Sequence, residues 1–327
     1  MDGNLRVVVV AGADNRYAMP LAVLLKSAVL NLSAKVTLHA YVLDGGISSK
    51  NRNRIQSSVS DAGINISWIS VDQAIARLKD VPVFGHVSKA TYFRLLLADL
   101  LPPNEPRAIY IDVDAVVLSD LSALWREGLE GHSLGAVPDG ATMSTGRGIP
   151  GFKDLGIPPN APRFNGGVLL VDLQKWRDCE TAKRCLEYLK KYHDQVQFWD
   201  QDALNALLFS DWVKLPVCWN YRVDCHTVPE AKISVEEQLS KIKNDAAIIH
   251  YASATKPWHY YADHPGKVLF YEYLDQTAWR GWRPHAPIRA YFNRHYWGKL
   301  ARKNRFMNQL RTGFCFASNM LNGWRRS

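Results

Sequence analysis

Cysteine is scarce in this chain: there are five in 327 residues, an odd number and never in C-x-x-C spacing. That excludes a disulfide scaffold and a zinc module, and it fits a reducing compartment. No stretch approaches the roughly 20 apolar residues that a spanning helix needs. The first apolar run, Val7 to Ala11, has only the length of a strand and lacks the cleavage site of a signal peptide. The expected location is therefore the cytoplasm, or the cytoplasmic face of a membrane as a peripheral protein. No internal repeat is visible. With 47% apolar and 22% charged residues, wholesale disorder, collagen and coiled coil are excluded. Acidic residues are missing from one region: from Arg280 to the end there are 11 Lys and Arg and no Asp or Glu. Residues 1–279 then hold 29 positive and 31 negative charges, so the formal net charge of +9 belongs to the tail. Such a charge points to nucleic acid or anionic lipid, and the lack of any recognised nucleic-acid module argues against the first.

What is present alternates between strand and helix. Leu5 to Ala11 reads as a strand buried on both faces, ending in the turn formers Gly12 to Asn15. Pro20 suits a first helical turn, and Leu21, Leu24, Leu25, Ala28 and Val29 continue at helical spacing to Asn31. Val36 to Leu43 reads as a strand, Ile47 to Asp61 as a helix, Ile64 to Ser70 as a strand, Ser88 to Leu100 as a helix, and Ala108 to Ile111 as a strand. Beyond these come a weaker strand at Leu134 to Val137, a Gly- and Pro-rich loop from Gly140 to Pro162, and a strand from Gly167 to Leu173. Helices follow at Gln174 to Tyr192 and Asp200 to Phe209, and Ala246 to Ile249 forms a last strand. The order implies βαβ units and a mostly parallel sheet in an α/β domain. Near Thr277 the composition turns to Arg, Trp, Tyr and Phe, which divides the chain into residues 1–277 and 278–327.

Four segments can carry chemistry. In IYIDVDAVVL a buried strand ends in Asp112 and Asp114, hard oxygen ligands able to hold Mg²⁺ or Mn²⁺. Parallel sheets place their ligands at such strand ends, although a lone D-x-D also suits a solvated turn. In HYASATKPWHYY a strand delivers His250, a further ligand type, with Lys256 available to a leaving diphosphate. Alone, such a His is a structural residue and such a Lys a solvated charge. In RFNGGVLLVDL, Asn165 offers a donor and an acceptor to sugar hydroxyls, and Gly166 and Gly167 either open the backbone to a ligand or form a bulge. In FWDQDALN, Asp200, Gln201 and Asp202 stand where a helix begins, and N-capping accounts for one of the two carboxylates.

Together with ADNRYAMPL after the first strand and HVSKATYFRLLL before the D-x-D, these ordered motifs resemble glycosyltransferase family 8 over about residues 5–260. The family comprises retaining enzymes of GT-A fold, among them bacterial lipopolysaccharide galactosyltransferases. The resemblance implies a GT-A, Rossmann-like nucleotide-sugar-binding domain over residues 1–277 with a basic tail expected to be helical. It implies Asp112, Asp114 and His250 as ligands of Mn²⁺ or Mg²⁺, and a UDP-hexose as donor. Asp14, Asn15 and Tyr17 would lie near the uracil, His86 on the donor side, and Arg94 at the sugar or diphosphate. Asp139, Asn165, Gly166, Asp200 and Gln201 would surround the sugar, and Lys256 would meet the diphosphate. Two positions depart from the pattern: Ser253 stands where the family has Gly, narrowing the approach to a phosphate, and Arg16 stands where close galactosyltransferases have Asn.

The chemistry so implied is transfer of galactose or glucose from a UDP-sugar to a hydroxyl of a glycan, lipopolysaccharide or other glycolipid acceptor, with no nucleic-acid partner. Gln201 is a poor nucleophile, which favours attack from the leaving-group face, with Asp200 and Asp139 near the oxocarbenium-like centre. The alternatives are a silent nucleotide-sugar or glycan-binding protein and a haloacid dehalogenase-type phosphatase, whose D-x-D normally opens the chain. In the tail, Ile288, Phe292, Tyr296, Leu300, Met307, Leu310 and Phe314 fall on one helical face, with Arg289, Arg294, Lys299, Arg302, Arg305 and Arg311 largely elsewhere. That pattern suits either an anionic membrane surface or a helix packed on the domain.

Overall fold

In the computed structural model, residues 5–60, 63–81, 89–143, 148–223, 234–262 and 266–285 are described. The chain opens with β1 (Leu5–Ala13), α1 (Ala18–Leu30), β2 (Val36–Asp44), α2 (Ser49–Val59), β3 (Ile64–Ser70) and α3 (Asp72–Arg77). A 3-10 helix over Lys89–Leu96 runs into α4 (Leu97–Leu100), and then come β4 (Arg107–Ile111), β5 (Ala115–Val117) and α5 (Leu121–Arg126). The second half holds β6 (Leu134–Thr142), β7 (Pro162–Asp172), α6 (Leu173–Asp178), α7 (Thr181–Lys191), α8 (Trp199–Leu207) and β8 (Trp212–Lys214). A 3-10 turn at Val217–Asn220 precedes β9 (Tyr221–Arg222), and α9 (Val235–Asp245), β10 (Ile248–His250) and α10 (Lys267–Leu274) complete the order.

The main sheet has the order β3-β2-β1-β4-β7-β6-β8. All its pairings are parallel except those of β7, which runs against both β4 and β6. The expected mostly parallel α/β architecture is thus present. Val7 to Val10 are at most 1% exposed, as a strand covered on both faces requires. A small second sheet, β5-β10-β9, carries His250 on its middle strand. Among the described residues no helix is long and apolar enough to cross a membrane.

Several elements differ from their sequence signals. The α-helix expected over 88–100 is wound mainly as a 3-10 helix over Lys89–Leu96 and becomes α-helical only for its last turn. The helix expected over 174–192 is two helices, because Glu180 between them takes a left-handed conformation at φ 48°. β7 starts at Pro162 rather than Gly167, so Asn165 and Gly166 lie within a strand. The 140–162 stretch is more than a surface loop: β6 continues to Thr142, Ile149 and Ile157 are buried, and Tyr188 of α7 donates to the Pro150 carbonyl.

Two compact units are distinguished, residues 1–257 with 262–282 and residues 258–261 with 283–327. At the end of the first, the Arg54 guanidinium lies 3.9 Å above the ring of the buried Trp279, and Ala278 N donates to Ser58. The helical face read in the tail, from residue 286 onward, lies outside the described residues.

An ion-pair network joins β1, β2 and the segment before β4. The Glu105 carboxylate is buried, takes two hydrogen bonds from Arg6 at 2.6 and 2.9 Å, and accepts another from the Tyr41 hydroxyl at 2.7 Å. The Arg6 hydrogen bonds outweigh burial and hold its pKa below the usual carboxylate range. Its contribution is therefore present above the unfolded value of about 4.3 and lost as pH falls through the lower folded value. Glu105→Gln should lower stability at pH 7 by about 1–2 kcal/mol, and by less at pH 3.5. Urea unfolding at the two pH values checks this; an equal loss at both would contradict the charge assignment.

Candidate active site

With β7 reversed among co-directional strands, its first residues meet the carboxyl ends of β1, β4 and β6 at one edge of the sheet. Ile111 pairs with Val168, and Asp112 N donates to the Gly167 carbonyl at 2.8 Å. Parallel sheets form their ligand crevices at this edge. A cavity of about 780 Å³ opens there. Of the residues singled out in the sequence, Asp14 and Tyr17 from the β1 loop, Arg94, Asp112 and Asp114, Asp139 and Asn165, Asp200 and Gln201, and His250 and Lys256 all line it.

The residues at the end of β4 and in β10 fit a divalent ion. Ligand atoms of Asp112, Asp114 and His250 lie within 4.8 Å of one another. His250 Nε2 is 3.4 Å from Asp114 Oδ1 and 3.8 Å from Asp112 Oδ2. The other ring nitrogen, Nδ1, is 2.9 Å from Asn220 Oδ1. Asn220 Nδ2 donates to Asn165 Oδ1 at 2.8 Å, which orients the amide so that its oxygen takes the Nδ1 proton. Nε2 is thereby turned toward the two carboxylates, the orientation typical of metal-bound imidazole. Gly167 makes room for the ring, since a Cβ there would lie 2.1 Å from His250 Cε1.

Lys256 Nζ lies 2.5 Å from Asp114 Oδ2 and donates to the Tyr251 carbonyl at 2.8 Å. Burial alone would lower the ammonium pKa, but Asp114 outweighs it and the pKa rises. Asp114 in turn is held well below the ordinary carboxylate range, because Lys256 and His250 more than offset its burial. Both groups are thus ionised as a pair.

Arg94 is 7% exposed and bridges Asp112 on one side of the cavity to Asp200 on the other. Its guanidinium lies 2.9 Å from Asp112 Oδ1 and 2.7 Å from Asp200 Oδ2, and it also donates to the Gly166 carbonyl. Burial lowers its pKa, but the two carboxylates outweigh that and raise it. The 3-10 winding has a consequence here: with three residues per turn, positions 91 and 94 eclipse. Thr91 Oγ1 accordingly donates to Asp200 Oδ1 at 3.0 Å while Arg94 meets the other oxygen. Asp200 remains dominated by its burial, which pushes its pKa up to about 6 despite Arg94.

Gln201 is held by its neighbours. Its Oε1 accepts from Gly166 N at 3.1 Å and Asn165 Nδ2 at 3.3 Å, and its Nε2 donates to Asp139 Oδ2 at 3.5 Å. Asp202, fully buried, accepts from Gln197 N and Phe198 N and so fixes the turn that starts α8. The N-cap expected of one carboxylate is not formed, since Phe198 holds that position without a side-chain cap; Asp202 instead reaches back from inside the helix, and Asp200 is left to the cavity.

Other sequence-derived residues fall outside the cavity lining. Asn15 Oδ1 accepts from Ser48 N and Asn51 Nδ2 at the start of α2, and Ser253 Oγ donates to the Thr255 carbonyl. Gly166 stands behind the lining, and a Cβ there would lie 3.0 Å from Arg94. His86 lies outside the described residues. Four lining or supporting residues were given no role in the sequence reading. Asn220 orients His250, the buried Arg163 lies 3.7 Å from Asp139, Arg222 donates to the Asp139 carbonyl, and Tyr110 donates to Asp112. Tyr110 alone had a readable clue, since residues two apart on a strand share a face.

The family model "Glycosyl transferase family 8" matches residues 8–262. Among curated relatives, General stress protein A of Bacillus subtilis is 27% identical over 83% of this chain and 94% of its own. The lipopolysaccharide 1,2-glucosyltransferase of Escherichia coli is 26% identical, over 93% of this chain and 88% of its own. Among solved structures, the galactosyltransferase LgtC in complex with donor and acceptor sugar analogs superposes with a TM-score of 0.69 at 27% identity, covering 86% of this chain and 98% of that one.

The raised pKa of Asp200 has a measurable consequence. A carboxyl with its folded value above its unfolded one contributes stability that is full below about pH 4 and is lost as pH rises through about 6. Asp200→Asn, neutral throughout, should therefore gain in melting temperature on the wild type between pH 4.5 and pH 8. Thermal unfolding across that range checks it; an offset that stays constant would show that burial does not control this carboxyl.

Proposed function

The chain belongs to glycosyl transferase family 8 and is a hexosyltransferase by that membership; from there, we propose that it moves galactose or glucose from a UDP-sugar to a hydroxyl of a glycan or lipopolysaccharide acceptor, with retention of configuration. The observation that carries this reading is the convergence of Asp112, Asp114 and His250 on one point beside Lys256 and the Arg94–Asp200 pair. The lipopolysaccharide acceptor is supported by the relative in Escherichia coli.

Departure of UDP puts negative charge on the diphosphate and positive charge on the sugar ring. Asp112, Asp114 and His250 would hold a divalent ion, Mn²⁺ or Mg²⁺, and the chemistry it would supply when bound is electrostatic neutralisation of the leaving group. Lys256, ionised and preset within the same cavity, adds a positive charge on the diphosphate side. Asp14 and Tyr17 lie with the nucleotide at the β1 end. On the sugar side, Asp139 and Asp200 offer carboxylates to the developing oxocarbenium charge. Gln201, its amide oxygen already occupied by Gly166 and Asn165, positions the ring rather than attacking it. Front-face attack follows, with a diphosphate oxygen taking the acceptor proton.

EDTA should abolish transfer, Mn²⁺ or Mg²⁺ should restore it, and Asp114→Asn should be slower by on the order of 100-fold or more. An α-linked donor should give an α-linked product by NMR. Full activity in excess EDTA, or a β-linked product, would defeat the respective assignment.

The acid-free segment from residue 280 is read as a membrane-surface element, since each Lys or Arg near an anionic leaflet contributes about 1 kcal/mol. In the full chain, Arg302→Glu with Lys303→Glu should weaken co-sedimentation with phosphatidylserine vesicles several-fold at low salt and leave UDP-sugar hydrolysis unchanged. Undiminished sedimentation would reject the membrane role.

A further inference from the structure

Each carboxylate of the D-x-D is divided between two tasks. Asp112 Oδ1 faces Arg94 at 2.9 Å and accepts from the Tyr110 hydroxyl at 2.8 Å, while its Oδ2 faces His250 Nε2. Asp114 repeats the plan, with Oδ2 on Lys256 and Oδ1 toward His250. One oxygen of each is thus tied to the protein and the other is presented to the imidazole. Of the three tethering side chains, Arg94 and Lys256 also face the donor in the reading above. Tyr110 differs, because among the described residues its hydroxyl has the single hydrogen bond to Asp112.

Its placement follows from the strand. Tyr110 and Asp112 are two residues apart at the end of β4, so both side chains project from the same face. The ring is 2% exposed and its face lies 4.9 Å below the Arg94 guanidinium. Tyr110 therefore sets two things at once, the rotation of the Asp112 carboxylate and the height of the guanidinium that shares the same oxygen.

We propose that Tyr110 is a positioning residue for the metal site, its hydroxyl fixing the Asp112 carboxylate so that Oδ2 converges with Asp114 Oδ1 and His250 Nε2. The inference rests on the metal reading of those three residues. Partners of this kind, one bond removed from the ion, typically change metal affinity 10- to 100-fold.

The test is Tyr110→Phe in the full chain, which removes one oxygen and keeps the ring. Mn²⁺ is titrated in the presence of UDP, with free Mn²⁺ followed by electron paramagnetic resonance. The expected result is a dissociation constant for Mn²⁺ raised about tenfold or more, with kcat recovering toward wild type at saturating Mn²⁺. Melting without metal should be close to wild type, a readout that a merely structural role would move instead. Equal Mn²⁺ affinity in variant and wild type overturns the inference while leaving the metal reading intact. No Mn²⁺ binding by the wild type overturns both. Should Tyr110→Phe fail to fold, 3-fluorotyrosine at position 110 serves. Its ¹⁹F resonance should shift when Mg²⁺ and UDP are added, and an unmoved resonance overturns the inference.

Discussion

The site depends on the cancellation of buried charge. Arg94 could not be carried 7% exposed beneath the sheet edge without opposite charges, since burying an unpaired ion is far costlier than one hydrogen bond repays. Asp112 and Asp200 supply those charges from two distant parts of the chain, and Lys256 does the converse for Asp114. Such pairs add little net stability over apolar packing of the same volume. Their use lies elsewhere, in fixing carboxylate directions before any ligand arrives.

The fold makes this cancellation geometrically available. Co-directional β1, β4 and β6 end together, and the reversed β7 inserts its first residues between two of those ends. Asn165 thereby stands close enough to receive Asn220 and to meet Gln201. Without the reversal, the same sequence positions would open at the opposite edge of the sheet. The second sheet then needs only three residues in β10 to bring His250 alongside.

Much of this was legible in the sequence because it lay in local patterns. The unbroken Val run of β1 announces a doubly covered strand, and D-x-D at a strand end announces two carboxylates at a crevice. The winding of residues 89–96 was hidden, since the apolar spacing of a short 3-10 helix is close to that of an α-helix over two turns. The break after Cys179 was hidden too, as Glu180 is not a residue that ordinarily takes positive φ. Asn220 lay beyond reach for another reason: its role is a contact 30 residues distant, and nothing in its neighbourhood encodes a partner. Conversely, the glycines of FNGG stand out in the sequence while their purpose does not. They make space for the protein's own Arg94 and His250, which a single motif cannot reveal.

That last contact also bears on how the sequence can drift. Position 167 admits no side chain while an imidazole held by Asn220 occupies 250, and the crowding lies against the ring itself. A larger residue could enter at 167 only after 250 had become smaller, and any such first step forfeits the nitrogen. Neither position can therefore change before the other without passing through a worse intermediate. The two positions, 83 residues apart, are constrained to evolve as one.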